Sequence, residues 1–317
     1  YNISFIMSIT LEEALSEEFK KTFNGSQDDY NYLISILKSS TSAEELDKVF
    51  MADAENNVTI DKDKSFNKEK TEFPKLVNAL DLYNLEIKEV PKLLDPFLQK
   101  VGLASVVGSS DTGKSSFLRQ LALSIALGKK HFLGFKLYTS TNKVIYVSTE
   151  DDPDSTNAVI KMQLSSLLGD ADVSNLKNLN FIFESDNILN TLDEYLYDNQ
   201  HDLIIIDAFA DVFGGEINSN TQVRQFLNEY HKLSIKHNCL VVFLHHIGKR
   251  ADKNRPSKDN IIGSQAYEAK MRSVLNLSQS LSDDERNLTL TKCNFLSSDY
   301  KKDNYVLRFD KNLVFTN

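Results

Sequence analysis

The sequence predicts an α/β protein: a mainly parallel sheet flanked by helices, with antiparallel strands at its C-terminal edge and a small helical region in front. Three observations lead to this. From residue 101 onward, short apolar runs alternate with helical patterns, as in buried parallel strands joined by crossover helices. Gly25 is the only glycine before residue 101 and the other ten follow, so turn-forming residues are concentrated where the alternation occurs. The octet GSSDTGKS, Gly108 to Ser115, lies between the first apolar run and the first helix after it.

The N-terminal third is read as helical, with patterns such as "TLEEALSEEFKKTF" and "DDYNYLISILKSS". Ser42 followed by Glu45 is a capping-box pattern. The polar stretch 53–72 has almost no periodic apolar face and reads as a linker. The boundary falls between residues 72 and 98, which divides the chain into a region 1–85 and a domain 86–317.

Each element of the larger domain follows from its own pattern. "VGLASVV" (101–107) is a buried strand. A helix follows over about 114–127, with Phe117, Leu118, Leu121, Ala122, Ile125 and Ala126 at helical spacing on one face. "KVIYVS" (143–148) is a second strand, followed by a helix over about 154–168, and "LNFIF" (179–183) is a third strand. "HDLIIIDAF" (201–209) is the most apolar run, and a long helix over about 220–237 leads into "CLVVFLHH" (239–246). "SVLNLS", "NLTLTK", "NYVLRF" and "NLVF" read as hairpin-like strands at one edge.

Composition excludes several classes. No apolar run approaches the ~20 residues that span a bilayer. The first residues lack the basic start and cleavage site of a signal peptide, and Met7 reads as a natural start behind the remnant Tyr1 to Ile6. Cys239 and Cys293 have no metal-ligand spacing and are too few for a disulfide framework, so a reducing cytoplasm is expected. The net charge is −9, but residues 1–100 carry 19 acids and 12 lysines while all seven arginines lie at or after Arg119. The later part of the chain therefore still has room for a local basic site.

GSSDTGKS fits G-x-x-x-x-G-K-[ST], the phosphate-cradling loop. Gly108 and Gly113 let the backbone curl so that its N–H groups, from Ser109, Ser110, Asp111, Thr112 and on to Ser116, point at phosphate oxygens. The helix N-terminus adds its dipole. Lys114 reaches the outer phosphates and the Ser115 hydroxyl holds Mg²⁺. The bland alternative is a chance match in a strand-to-helix turn, and the flanking elements argue against it. Asp207 closes LIIID at the carboxyl edge of the sheet, where it can hold the Mg²⁺ shell; otherwise it caps a turn. Glu150, after "VIYVST", can orient the attacking water. The alternative is that "TEDDPD" only caps the next helix, the role expected of Asp151 and Asp152. Of His245 and His246, one can sense the γ-phosphate while the other is a satisfied structural histidine; His246 is preferred because it adjoins the following loop. That loop carries Lys249, Arg250, Lys253, Arg255 and Lys258 against the single acid Asp252. It suits contact with a phosphate backbone and lacks aromatics for base stacking; the alternative is a solvated loop. Arg272 precedes an apolar run and is either a surface ion pair or a finger presented to another subunit's nucleotide.

The order of these blocks resembles the RecA-type ATPases of the plasmid RepA-helicase group. "PKLLDPFLQKVGLASVVGSSDTGKSSFLRQLALSIALGKKHFLG", "VIYVSTEDD", "LIIIDAFADVFGG", "VVFLHHIGK" and "GSQAYEAKMRSVLNL" carry the resemblance over about residues 90–315. It implies a RecA-like core, often a six-membered ring, with ATP bound between subunits. Lys114 and Ser115 become phosphate and Mg²⁺ ligands, Glu150 the catalytic carboxylate, Asp207 the second acidic motif, His246 the phosphate sensor and Arg272 the finger in trans. The loop 248–260 would face a central channel and touch single-stranded DNA. Ser109, Ser110 and Asp111 depart from the group's loop, which is richer in small residues and proline.

Three functions follow as expectations. The first is a DNA-dependent ring ATPase, a helicase or translocase of replication or mobilisation, with residues 1–85 docking a replication or mobilisation protein. The second is a regulatory or scaffold ATPase that switches assembly without unwinding DNA. The third, a small-molecule kinase, leaves the histidine-ended strand and Arg272 unexplained.

Overall fold

A computed structural model describes residues 76–85, 87, 89–184, 186–246, 265–296 and 304–317. The chain divides into two compact units, Tyr1–Leu85 and Glu86–Asn317. In the first, the described residues form one short helix, α1 (Ala79–Tyr83), capped by the Asn78 side chain, which accepts from the Asp81 N–H. The helical patterns expected before residue 76 lie outside the described residues.

The second unit is built on a nine-stranded sheet. Its elements begin with a small hairpin, β1 (Lys92–Leu94) and β2 (Leu98–Gln99). Strand β3 (Gly102–Gly108) and helix α2 (Lys114–Ala126) follow. A second small hairpin, β4 (His131–Phe132) and β5 (Phe135–Lys136), precedes β6 (Val144–Ser148) and α3 (Pro153–Leu167). Then come β7 (Leu179–Ile182), α4 (Ile188–Asp198), β8 (Leu203–Asp207), α5 (Phe209–Val212), α6 (Asn220–His237) and β9 (Leu240–His246). The chain closes with α7 (Gln265–Lys270), β10 (Ser273–Gln279), β11 (Glu285–Cys293), β12 (Asn304–Phe309) and β13 (Phe315–Thr316). The strand order is β13-β12-β11-β10-β3-β9-β8-β6-β7. The six strands from β10 to β7 run parallel, and β11 to β13 continue antiparallel.

The continuous apolar runs are explained by burial on both faces. Along β8, Leu203 and Ile205 belong to one core cluster and Ile204 and Ile206 to the other. The first cluster contains Leu121 and Ile125 of α2; the second contains Leu192 and Leu196 of α4 and Leu227 of α6. This is the period-two alternation of a strand sandwiched between helical layers.

Three expectations need revision. The run "SVLNLS" is not an edge hairpin: β10 lies beside β3 in parallel register, Ser273 opposite Ala104. Helix α2 is not one-sided, because every residue of it except Ser115 is buried. Its outer face is covered by the C-terminal strands, with Phe315 packing edge-on against Phe117 at 5.6 Å. The Gln120 carboxamide accepts from the Phe315 N–H at 2.7 Å and donates to its carbonyl at 2.8 Å. Helix α4 has no counterpart among the sequence expectations; Asn187, in left-handed conformation, precedes it in place of a side-chain cap.

Candidate nucleotide site

Parallel strands all end at one edge, and register places the candidate residues there. Gly108 pairs with His246, and Ser148 pairs with Asp207. The loop 108–115, the turn carrying Glu150, Asp207 and His246 therefore share the carboxyl edge of neighbouring strands, where open α/β sheets bind ligands.

The two loop glycines are required for different reasons. A Cβ on Gly108 would sit 2.2 Å from the Leu277 carbonyl oxygen of β10 and 3.0 Å from Thr112 Oγ1. Gly113 has φ +87°, and a Cβ there would meet Phe315 Cζ at 2.9 Å and Phe309 Cζ at 3.1 Å. Asp111 also lies in the left-handed region, at φ 62°, and is exposed. Aspartate is among the few non-glycine residues that tolerate this conformation, so its place in the loop is accounted for by backbone geometry. The loop is braced from within. Thr112 Oγ1 donates to the Ser109 carbonyl at 3.0 Å, and Lys114 Nζ donates to the same carbonyl at 2.6 Å. Ser110 is exposed, while Ser109 and Ser116 are buried.

Ser115 and Asp207 meet by a hydrogen bond between their side chains. Asp207 Oδ2 also accepts from the Tyr146 hydroxyl at 2.6 Å. Burial raises the Asp207 carboxyl above its ordinary range; the hydrogen bonds from Tyr146 and Ser115 oppose this, and the nearby Glu150 adds to it. Its other oxygen, Oδ1, is buried with no hydrogen-bond partner among the described residues. An oriented carboxylate beside a serine hydroxyl, with one oxygen left over, fits the inner and outer shell of a magnesium ion.

Glu150 is exposed, and its Oε1 lies 3.8 Å from His246 Nε2. The neighbouring His245 points to the opposite side of β9 and is buried. Its ring packs on Tyr267 at 4.5 Å and on Phe209 at 5.1 Å, between centroids. The alternation of the strand thus separates the two histidines, and it is His246 that comes to the acid.

Arg272 is not brought to this edge. Its N–H donates to the Leu103 carbonyl, at the start of β3, about 16 Å along the strand from Gly108. The basic residues Lys249, Arg250, Lys253, Arg255 and Lys258 lie outside the described residues. Asp152 does cap α3, accepting from the Asp154 and Ser155 N–H groups. Asp151 takes no part in that cap and pairs instead with Arg119 at 2.9 Å.

Sequence reasoning missed Tyr146 and Arg119. A tyrosine inside an apolar strand run was the available signal, because a buried hydroxyl needs a partner. Arg119 gave a similar one, as a charge on a helix whose remaining pattern is apolar.

Among the described residues no helix is long and apolar enough to cross a membrane. No curated protein matches the chain. Among solved structures, the ATPase domain of the gene 40 product superposes with a TM-score of 0.52 at 13% identity, over 75% of this chain and 95% of that one. The likeness shows that the fold is the RecA-like α/β arrangement. The model of the AAA domain family matches residues 68–252, more than half of the sequence. With its phosphate loop, flanking carboxylates and RecA-like sheet, the chain belongs to the AAA domain family.

Proposed function

We propose that the protein hydrolyses Mg²⁺-ATP at subunit interfaces of a homo-oligomeric ring and uses the energy to move along or unwind DNA. The observation that carries the reading is the convergence at one sheet edge of Lys114, the Ser115–Asp207 pair and the Glu150–His246 pair. Lys114 and the loop N–H groups would bind the phosphates, and Ser115 with Asp207 would hold the metal. Glu150 would orient the attacking water, and His246, within reach of it, would sense the γ-phosphate.

Two features point beyond a self-contained ATPase. Arg272 lies at the far end of β3 from its own phosphate loop, so any contact with ATP would be to another subunit's. The basic loop 248–260 supplies charge for single-stranded DNA, and residues 1–85 would dock a replication or mobilisation protein in the cytoplasm. The solved domain whose fold this unit shares is itself an ATPase domain, in keeping with hydrolysis as the source of energy.

The test is ATP turnover with and without single-stranded DNA, measured together with particle mass. DNA-stimulated turnover by a hexamer-sized particle supports the reading. Turnover indifferent to DNA, with no unwinding by assembled particles, leaves a regulatory ATPase that switches assembly of a partner. Intact nucleotide binding and turnover in Lys114→Ala would overturn the site itself.

A further inference from the structure

Glu150 sits in an exposed turn, and among the described residues its side chain has only the 3.8 Å approach of His246 to hold it. Its two neighbours are anchored. The Thr149 N–H donates to the Asp207 carbonyl at 2.9 Å, and the Thr149 hydroxyl lies 2.6 Å from Asp211 Oδ2. On the other side, Asp151 Oδ2 accepts from Arg119 Nη2 at 2.9 Å.

Arg119 is an unusual partner. It belongs to α2, the helix that starts at Lys114, and its side chain is only 3% exposed. Its guanidinium carbon lies 5.9 Å from the centroid of the Tyr146 ring, and the Tyr146 hydroxyl holds Asp207. Its Nε is buried without a hydrogen-bond partner among the described residues. A buried cation joined to a half-exposed carboxylate is a poor source of stability, because desolvation offsets the attraction. The pair is better suited to fixing geometry. It connects the phosphate-loop helix to the turn that bears Glu150, across the strand that supplies Tyr146.

Resting on the reading of Glu150 as the group that orients water, we propose that Arg119 and Asp151 are positioning residues that lock Glu150 in register with the phosphate loop. Neither touches the nucleotide. Motion of the loop helix on binding phosphate is passed through the rigid guanidinium fork to Asp151, and so to the adjoining acid.

The experiment is a double-mutant cycle on the full-length chain, read as kcat and KM for ATP hydrolysis with saturating Mg²⁺. Asp151→Ala should lower kcat by about 10- to 100-fold, the cost of misplacing a reacting group by an ångström or less, with KM changed less than about twofold. Because removing Asp151 leaves a buried charge, Arg119→Met combined with Asp151→Ala is the second variant. It should melt cooperatively and show the same low kcat. In a Glu150→Gln background, Asp151→Ala should cost nothing further, since the tether acts only through Glu150. A Glu150→Gln protein that is inactive while Asp151→Ala is fully active would overturn the positioning role alone. So would an equal loss from Asp151→Ala in both backgrounds, the mark of a general structural defect. Full turnover by Glu150→Gln would overturn the water-orienting assignment and the positioning role with it.

Discussion

Replacing Gly108 by alanine should damage the sheet before it damages any chemistry. The added Cβ would lie 2.2 Å from the Leu277 carbonyl oxygen. Ordinary carbon–oxygen contact needs about 1 Å more, taking van der Waals contact distances as the guide. That oxygen is backbone in β10, which is held between β3 and β11, so no side-chain rotation relieves the clash. Overpacking of this kind costs about 1–3 kcal/mol. For a unit of this size each kcal/mol lowers the melting temperature by about 2–4 °C, which gives a fall of about 2–12 °C. The strand must also shift where the loop begins, so nucleotide affinity should fall with stability. The assay is thermal melting with and without Mg²⁺-ATP, in which the variant should lose both melting temperature and nucleotide-induced stabilisation. A variant that melts with the wild type and is stabilised equally by nucleotide would refute the close approach of β10 to the loop. Gly113→Ala is the internal comparison. Its Cβ meets the far edges of two phenyl rings, which can yield, so its cost should come mainly from the left-handed backbone, about 1–2 kcal/mol.

Further expectations follow from the network behind the site. Tyr146→Phe removes the hydroxyl that orients Asp207, and should raise the Mg²⁺ concentration for half-maximal turnover by about tenfold, the usual scale for supporting groups of a metal site; an unchanged Mg²⁺ titration would show the bond to be incidental. Asp202 accepts from the Ser140, Thr141 and Asn142 N–H groups and the Thr141 hydroxyl, so Asp202→Ala should cost about 3 kcal/mol in urea denaturation while the Mg²⁺ titration of turnover keeps its midpoint. Burial lowers the His201 imidazole below its ordinary range, so the unfolded chain takes up that proton first and stability falls as pH drops below about 6.5. His201→Gln should therefore lose less stability than the wild type as the pH is lowered through that range, by urea midpoint, and an equal loss would refute the assignment.

The parallel core was legible because its strands are short apolar runs with a helix after each, and that pattern follows directly from burial on both faces. The phosphate loop was legible because glycines at fixed spacing answer a backbone requirement. What escaped was set by packing partners distant in sequence. Nothing near Ser273 says that β10 will lie against β3 rather than fold into a terminal hairpin; that depends on the β3 edge left open by β9. The burial of Arg119 depends on an acid 32 positions later and a tyrosine on another strand. The choice between His245 and His246 could not be made from the dipeptide, whose two members look alike until the pleat assigns one to each face. Asp111 looks out of place when the loop is read for its chemistry alone, whereas its tolerance there is a matter of φ and exposure.

The grip of Gln120 on Phe315 spans 195 positions, and this bears on how the protein is made. While it emerges from the ribosome, a nascent chain displays GSSDTGKS long before the strand that covers the helix behind it. Until residue 315 arrives, the Gln120 amide lacks its two backbone partners and the outer face of that helix is open to water or to chaperones. Competence to hold nucleotide would then come late in synthesis, delaying any ATP-dependent assembly until this unit is whole.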